Sequence, residues 1–199
     1  MMRRHPIYFL RHGETESNAA GRMQGHLDSK LTSKGEAQAN AMATILLRET
    51  SGSPAAIVSS PLGRAVQTAN IVGLALQVPP HLRRTDERLK EMTWGVWDGF
   101  TLPEIQARWP REWQARQADR WNCPPPSGES YAMLKERVAP ALNEINADDR
   151  PIIVVAHGVV GRIIRGLHLR LDPAILMDQD EPQGVVMRLD TDGIVVLTA

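Results

Sequence analysis

The first apolar run of the chain is Ile7-Tyr8-Phe9-Leu10, and the polar stretch Arg11-His12-Gly13 follows it directly. A short run of apolar residues that stops at polar residues and glycine is typical of a strand buried on both faces. Similar runs occupy 55–58 and 152–156, and a helical pattern follows each of them. Strands that alternate with helices favour an α/β fold in which helices cover both faces of a mainly parallel sheet.

Capping signals predict where the first two long helices begin. Ser33 with Glu36 three residues later has the spacing of a capping box, so a helix is predicted to start near Thr32 or Ser33 and to run to about Thr50. Ser60 predicts the cap of a second helix over 61–76, which would start with a proline.

The remaining segments predict an insertion and an edge hairpin within one domain, residues 1–199. The insertion, about 91–127, holds all five tryptophans and a short predicted helix at 102–109. A further helix is predicted at about 129–146. The apolar runs around Asp190-Thr191-Asp192-Gly193 predict a β-hairpin that adds strands at one edge of the sheet.

Composition narrows the class of partner. The chain has 199 residues, a formal net charge of zero and one cysteine, Cys123, which excludes an intrachain disulfide and favours a reducing compartment. A balanced charge argues against nucleic acid or an anionic membrane as partner, which leaves a small molecule. The apolar run at 7–10 is too short for a signal peptide or a spanning helix, so we expect a cytoplasmic protein.

Residues with phosphate chemistry follow all three apolar strands. Arg11 and His12 follow the first strand, and His157 follows the third. Arg64 falls in the first turn of the helix after the second strand, where free backbone N–H groups favour an anion. Because the carboxyl ends of parallel strands share one edge of the sheet, these residues predict a site for a phosphoryl group.

In these blocks the sequence resembles the histidine phosphatase superfamily, also called the phosphoglycerate mutase-like family. The resemblance covers most of the chain in the family's order and is carried by Arg11-His12-Gly13-Glu14-Thr15 with Asn18, Gln24-Gly25, Ser60-Pro61-Leu62-Gly63-Arg64, Leu89-Lys90-Glu91 and Ala156-His157-Gly158. It implies a three-layer α/β/α sandwich and a phosphatase that works through a phosphohistidine. It also implies that neither a metal nor a cofactor is needed.

The resemblance assigns a role to each matching residue. His12 would be the nucleophile, while Arg11, Arg64 and a protonated His157 would hold the nonbridging oxygens. Glu91 would be the general acid, with Glu14 as its nearest rival. The predicted phosphate or substrate contacts are Asn18, Gln24, Gly25 and Gly158.

Other functions stay open at this stage. A cofactor-dependent phosphoglycerate mutase is the main alternative, but in the family it goes with a longer chain and additional covering segments. A metallohydrolase built on His12, His157 and a carboxylate is chemically distinct, and a non-catalytic module that binds a phosphorylated ligand is a third class. The substrate, a small phosphorylated metabolite, is not specified further, and a homodimer, common in the family, is equally undecided.

Overall fold

The computed structural model describes residues 5–50, 55–191 and 193–199, and a six-stranded sheet forms their centre. The strands are β1 (Ile7–Arg11), β2 (Ala56–Ser59), β3 (Arg83–Thr85), β4 (Ile152–Ala156), β5 (Val186–Asp190) and β6 (Gly193–Leu197). Their order across the sheet is β3-β2-β4-β1-β5-β6. The four strands from β3 to β1 are parallel, and the hairpin β5–β6 continues the sheet antiparallel beyond β1.

Eight α-helices surround this sheet in the described part of the chain. They are α1 (Glu16–Ala19), α2 (Ser33–Thr50), α3 (Gly63–Ala75), α4 (Leu102–Arg108), α5 (Pro110–Ala118), α6 (Tyr131–Ala147), α7 (Gly158–Leu169) and α8 (Pro173–Met177). None of these helices combines the length and the apolar character needed to cross a membrane.

Two apolar cores lie on opposite faces of the sheet, because successive strand side chains point to opposite sides. Ile7 and Phe9 of β1 pack in the core that α6 and α7 cover. Tyr8 and Leu10 pack in the other core, with α2 and α3. The predicted three-layer α/β/α sandwich is therefore confirmed.

Most predicted elements are confirmed, and the missed ones are short or polar. Strand β3 reads Arg-Arg-Thr, which carries no apolar run and pairs with β2 only through tertiary structure. Helix α5 follows α4 after a single residue, and its sequence is largely polar. The hairpin forms as predicted, although Asp192 of its turn lies outside the described residues.

The predicted start of α2 is confirmed, but the predicted capping box at Ser33 and the predicted start of α3 are wrong. At α2 the hydroxyl of Thr32 accepts the N–H of Gly35 at 3.1 Å. Helix α3 begins at Gly63 rather than at the proline, and its N-cap residue Leu62 makes no side-chain bond. The carboxylate of Asp28, from a loop distant in sequence, instead accepts the N–H groups of Gly63 and Arg64.

Candidate active site

Strand register brings the predicted histidines together at the carboxyl edge of the sheet. Arg11 at the end of β1 pairs with Ala156 at the end of β4, so His12 and His157 leave the two strands side by side. Their ring centroids are 5.2 Å apart in an edge-on arrangement. The parallel pairing of β1 with β4 is the physical cause of this contact.

His12 is buried, and its environment selects one neutral tautomer. Its Nδ1 lies 2.8 Å from the carbonyl oxygen of Gly13, which can only accept, so Nδ1 carries the proton. Nε2 is left with a lone pair and accepts the Nε–H of Arg64 at 3.3 Å. Burial, and then the charges of Arg64 and Arg11, hold the pKa of His12 well below its ordinary value. His12 is therefore neutral at physiological pH, as a nucleophile must be.

His157 is fully buried and has one ring nitrogen available. Its Nε2 is 2.7 Å from the hydroxyl of Ser60, whereas its buried Nδ1 has no hydrogen-bond partner. Burial, then Arg64 and His12, hold the pKa of His157 well below its ordinary value. The expected protonated His157 therefore requires an anion beside the ring, because the protein's own groups favour the neutral form.

Arg64 is completely buried, and the loop before α2 holds its guanidinium in place. Nη2 donates to the carbonyl of Gly25 at 2.7 Å, and Nη1 donates to the carbonyl of Leu27 at 2.9 Å. Asp28 adds an ion pair of 3.2 Å. With the planar group held on that side, Nε faces His12, which places a fixed positive charge at the predicted nucleophile.

Gln24 and Gly25 hold other residues of the site in place. The side-chain oxygen of Gln24 accepts from Thr15 at 2.8 Å, and its nitrogen donates to Ser29 at 2.9 Å. The N–H of Gly25 donates to Asp98 at 2.8 Å, while its carbonyl holds Arg64. Gln24 also lines the pocket described below, so the contacts of Gln24 and Gly25 with a phosphate or substrate stay predictions.

Glu91 is a buried carboxyl whose proton affinity is raised. Burial, followed by the nearby charge of Glu181, raises the pKa of Glu91 above its ordinary value. Backbone N–H groups of Met92 and Val159 bind its two oxygens at 2.8 and 3.1 Å and partly oppose this rise. The rival Glu14 instead pairs with Lys34 at 2.7 Å, which lowers its pKa.

A pocket of about 290 Å³ opens beside His12 and Glu91, while the buried Arg64 and His157 are not part of its lining. Its lining consists of Arg11, His12, Asn18, Arg22, Met23, Gln24, Glu91, Trp94, Tyr131, Val159, Arg162 and Glu181. Glu14 is not part of this lining, which favours Glu91 as the acid. A larger cavity of about 520 Å³ beside the hairpin contains none of the predicted site residues.

Arg11 and Asn18 each keep a donor for a ligand. Nη1 of Arg11 donates to the backbone carbonyl of Glu181, whereas its buried Nε has no partner. The side-chain oxygen of Asn18 accepts from Thr15 at 3.3 Å and from Gln183 at 3.1 Å. Those bonds orient the Asn18 amide through its oxygen and leave its nitrogen as the donor.

Four groups that shape the pocket are missed by the sequence analysis. Ser60, predicted as a helix cap, instead orients His157, and Arg162 and Tyr131 line the outer wall. The fourth is Glu181, whose segment between α8 and β5 crosses the rim. Arg162 follows His157 by just over one helical turn and so could have been found, but no sequence signal places Glu181 there.

Five side chains of the phosphoryl-transfer pattern thus meet at one edge of the sheet, namely Arg11, His12, Arg64, Glu91 and His157. Within the described residues, no group of three His, Cys, Asp or Glu side chains is placed to hold a metal ion. This combination of fold and site defines the class as an enzyme of phosphoryl transfer at a histidine.

The chain belongs to the histidine phosphatase superfamily (branch 1), whose family profile matches residues 7–197. It is 38% identical over 167 residues to glucosyl-3-phosphoglycerate phosphatase of Mycolicibacterium vanbaalenii, covering 79% of this chain and 71% of that one. The mycobacterial glucosyl-3-phosphoglycerate phosphatase solved with VO3 superposes with a TM-score of 0.82 at 31% identity, over 98% of each chain. The α-ribazole phosphatase of Shigella flexneri shares the fold, with a TM-score of 0.85 at 24% identity over 98% of this chain and 96% of that one. The predicted family and its phosphatase branch are confirmed.

Proposed function

We propose that this protein is a phosphatase that hydrolyses a small phosphate monoester through a phosphohistidine on His12, without a metal ion. The observation that carries the proposal is the state of His12. Its Nδ1 is committed to the Gly13 carbonyl, so the Nε2 lone pair points toward Arg64 at the base of the pocket. A neutral imidazole held beside a fixed guanidinium is suited to attack a phosphoryl group.

In the first step, the Nε–H of Arg64 leaves Nε2 of His12 for a nonbridging oxygen, and the freed Nε2 lone pair forms a bond to phosphorus while the bond to the ester oxygen breaks. Arg64 Nε and the unpartnered Arg11 Nε offset the charge on the nonbridging oxygens. The unpartnered Nδ1 of His157 becomes a donor once the phosphate dianion favours its protonation. Asn18 adds a neutral donor from the rim.

Glu91 moves the proton in both steps. Its carboxyl protonates the departing ester oxygen, so the alcohol leaves neutral. The resulting carboxylate then takes a proton from the water that attacks phosphorus, and the bond between phosphorus and His12 breaks. Inorganic phosphate leaves, and both His12 and Glu91 return to their starting states. A raised pKa at Glu91 supports this assignment, because a general acid must be protonated near neutral pH.

Hydrolysis is favoured over mutase chemistry by the relatives, since the mycobacterial proteins reported above are named phosphatases. We propose a small phosphorylated metabolite as substrate and a cytoplasmic location, with no nucleic acid or membrane partner. The balanced charge of the chain and its single cysteine support this assignment.

The test is hydrolysis of an aryl phosphate in excess chelator by the wild type and by the His12→Ala variant, with phosphoglycerate interconversion assayed on the same samples. We expect chelator-resistant hydrolysis that His12→Ala abolishes. His168→Ala is a matched control. The His168 imidazole binds the backbone carbonyl of Asp190 at the hairpin, and His168 does not line the pocket. A few per cent of activity left in pure His12→Ala would remove His12 as nucleophile. Efficient interconversion without hydrolysis would make the protein a mutase.

A further inference from the structure

Glu181 places a carboxylate of the chain itself inside the pocket. One of its oxygens lies 2.7 Å from Nε of Arg162, and the other lies 3.7 Å from Nη1 of Arg11. Its side chain is 19% exposed, so this charge is partly shielded from water. The Glu181 carboxylate thereby contacts two cations that line the pocket, Arg162 and Arg11.

Gly158 makes room for this carboxylate. A Cβ built on Gly158 would collide with the Glu181 carboxyl group, so the first residue of α7 must lack a side chain for Glu181 to lie there. Gly158 therefore leaves the space that the Glu181 carboxyl group occupies, and its own contact with a ligand stays a prediction. The Glu181 carboxylate therefore disfavours a second anionic group nearby, because like charges repel.

The other outer cation of the pocket is also paired. Arg22 is bound to Glu104 at 3.4 Å and to the Gly99 carbonyl at 2.7 Å. Arg162 further donates to the Tyr131 hydroxyl and to the Gln179 carbonyl, each at 2.8 Å. The positive charges of Arg22 and Arg162 are thus already offset by the carboxylates of Glu104 and Glu181.

Arg116 is a further buried cation near the pocket, and it stands behind the pocket wall. Its guanidinium packs over the Trp94 ring at 5.0 Å and donates to the Cys123 carbonyl at 2.7 Å. It is buried and absent from the pocket lining, so it presents no donor to the substrate.

From this arrangement we infer that Glu181 is a specificity-determining residue, which selects esters of uncharged, hydroxylated alcohols and rejects those whose alcohol carries a second anionic group. A carboxylate accepts hydrogen bonds from hydroxyls and repels another carboxylate. Polyol and sugar monophosphates are therefore the favoured class, and acidic esters such as phosphoglycerate are disfavoured. The inference refines the proposed phosphatase function and concerns the same pocket.

Glycerol 3-phosphate and 3-phosphoglycerate are suitable probes, because they differ only in a hydroxymethyl group against a carboxylate. We would measure the Kd of each by calorimetry on His12→Ala, with and without Glu181→Gln. We expect glycerol 3-phosphate to bind about tenfold tighter when Glu181 is present, and Glu181→Gln to remove most of that preference. The ratio of kcat/KM on proteins that retain His12 should change in the same direction.

Asp180→Asn is the matched control, since it removes one negative charge from the exposed neighbouring position while Arg165 keeps its bond to the Asp180 backbone. It should leave the ratio within about twofold, whereas a merely structural role of Glu181 would weaken both ligands equally. Tighter binding of phosphoglycerate with Glu181 present, or an unchanged ratio in Glu181→Gln, would overturn the inference. Selective binding without His12-dependent hydrolysis would instead overturn the proposed function alone.

Discussion

Arg64 lies behind His12 and Arg162 lines the pocket, and the chain holds these two cations by different means. Backbone carbonyls of a loop and Asp28 hold the inner Arg64, which is completely buried. The outer Arg162 is held by the Glu181 side chain, the Tyr131 hydroxyl and one carbonyl. Each arginine has a carboxylate partner, but Asp28 binds Nη1 of Arg64 and leaves its Nε facing His12, whereas Glu181 binds the Nε of Arg162 itself. The inner half of the site, around His12 and Arg64, thus binds the phosphoryl group that all esters share. The outer half, around Arg162 and Glu181, discriminates between the alcohols of different esters.

The largest effect should come from the inner cation. Arg64→Ala is expected to lower kcat/KM about a thousandfold on every ester, since it removes charge stabilisation at the nucleophile. Arg162→Ala should cost only about tenfold, because its Nε is bound by Glu181 and does not face the nucleophile. Steady-state kinetics on an aryl phosphate would check both values.

Loss of folding would give the same result for Arg64, so thermal unfolding and Arg64→Lys serve as controls. Lysine keeps the charge but cannot replace the planar fork that binds several carbonyls, so we expect a folded protein with a large defect. Equal losses at Arg64 and Arg162 would contradict the distinction between the two halves.

The second largest effect should come from Glu91, the proposed general acid. Glu91→Gln should slow alkyl phosphates about a hundredfold and aryl phosphates much less, because an aryl oxygen needs little protonation to leave. Both Glu91 oxygens accept backbone N–H bonds, so glutamine would turn its NH2 against one donor. Glu91→Ala avoids that clash and should show the same substrate dependence. Equal losses on both ester types would assign the acid role to another residue.

The pH profile should separate the histidine from the acid. The pKa of His12 lies well below its ordinary value, so the neutral nucleophile persists into mildly acidic solution. The pKa of Glu91 is raised, so its proton is present at low pH and lost as pH rises through that value. Alkyl phosphate hydrolysis should then fall about tenfold per pH unit on the alkaline side, while aryl phosphate hydrolysis stays flatter. An alkaline limb that survives in Glu91→Gln would contradict this assignment.

The smallest effect should come from Asp28, which pairs with Arg64 on the side away from His12. Asp28→Ala removes both the ion pair to Arg64 and the acceptor for the first N–H groups of α3. We expect a loss of about 1 kcal/mol in the free energy of unfolding and a severalfold loss in kcat, because the carbonyls still hold Arg64. Urea unfolding and aryl phosphate kinetics would measure both. Asp28→Asn should keep part of the cap, and an effect as large as that of Arg64→Ala would show that the carbonyls alone do not suffice.

The sequence predicted what depends on neighbours along the chain. Strands β1, β2 and β4 are apolar runs, and parallel strands end at one edge, so the meeting of His12 and His157 followed from local pattern. The predicted start of α3 was wrong because the carboxylate that caps this helix, Asp28, and the ring that binds Ser60, His157, come from distant segments.

By itself the sequence determined the order of strands and helices, the family motifs and the residues available for phosphoryl transfer, because periodicity and motif spacing are properties of the chain. Only the tertiary structure decided the tautomer of His12, the raised pKa of Glu91 and the pairing of Arg162 with Glu181. Those properties depend on burial and on contacts between segments far apart in sequence, and folding alone brings such segments together.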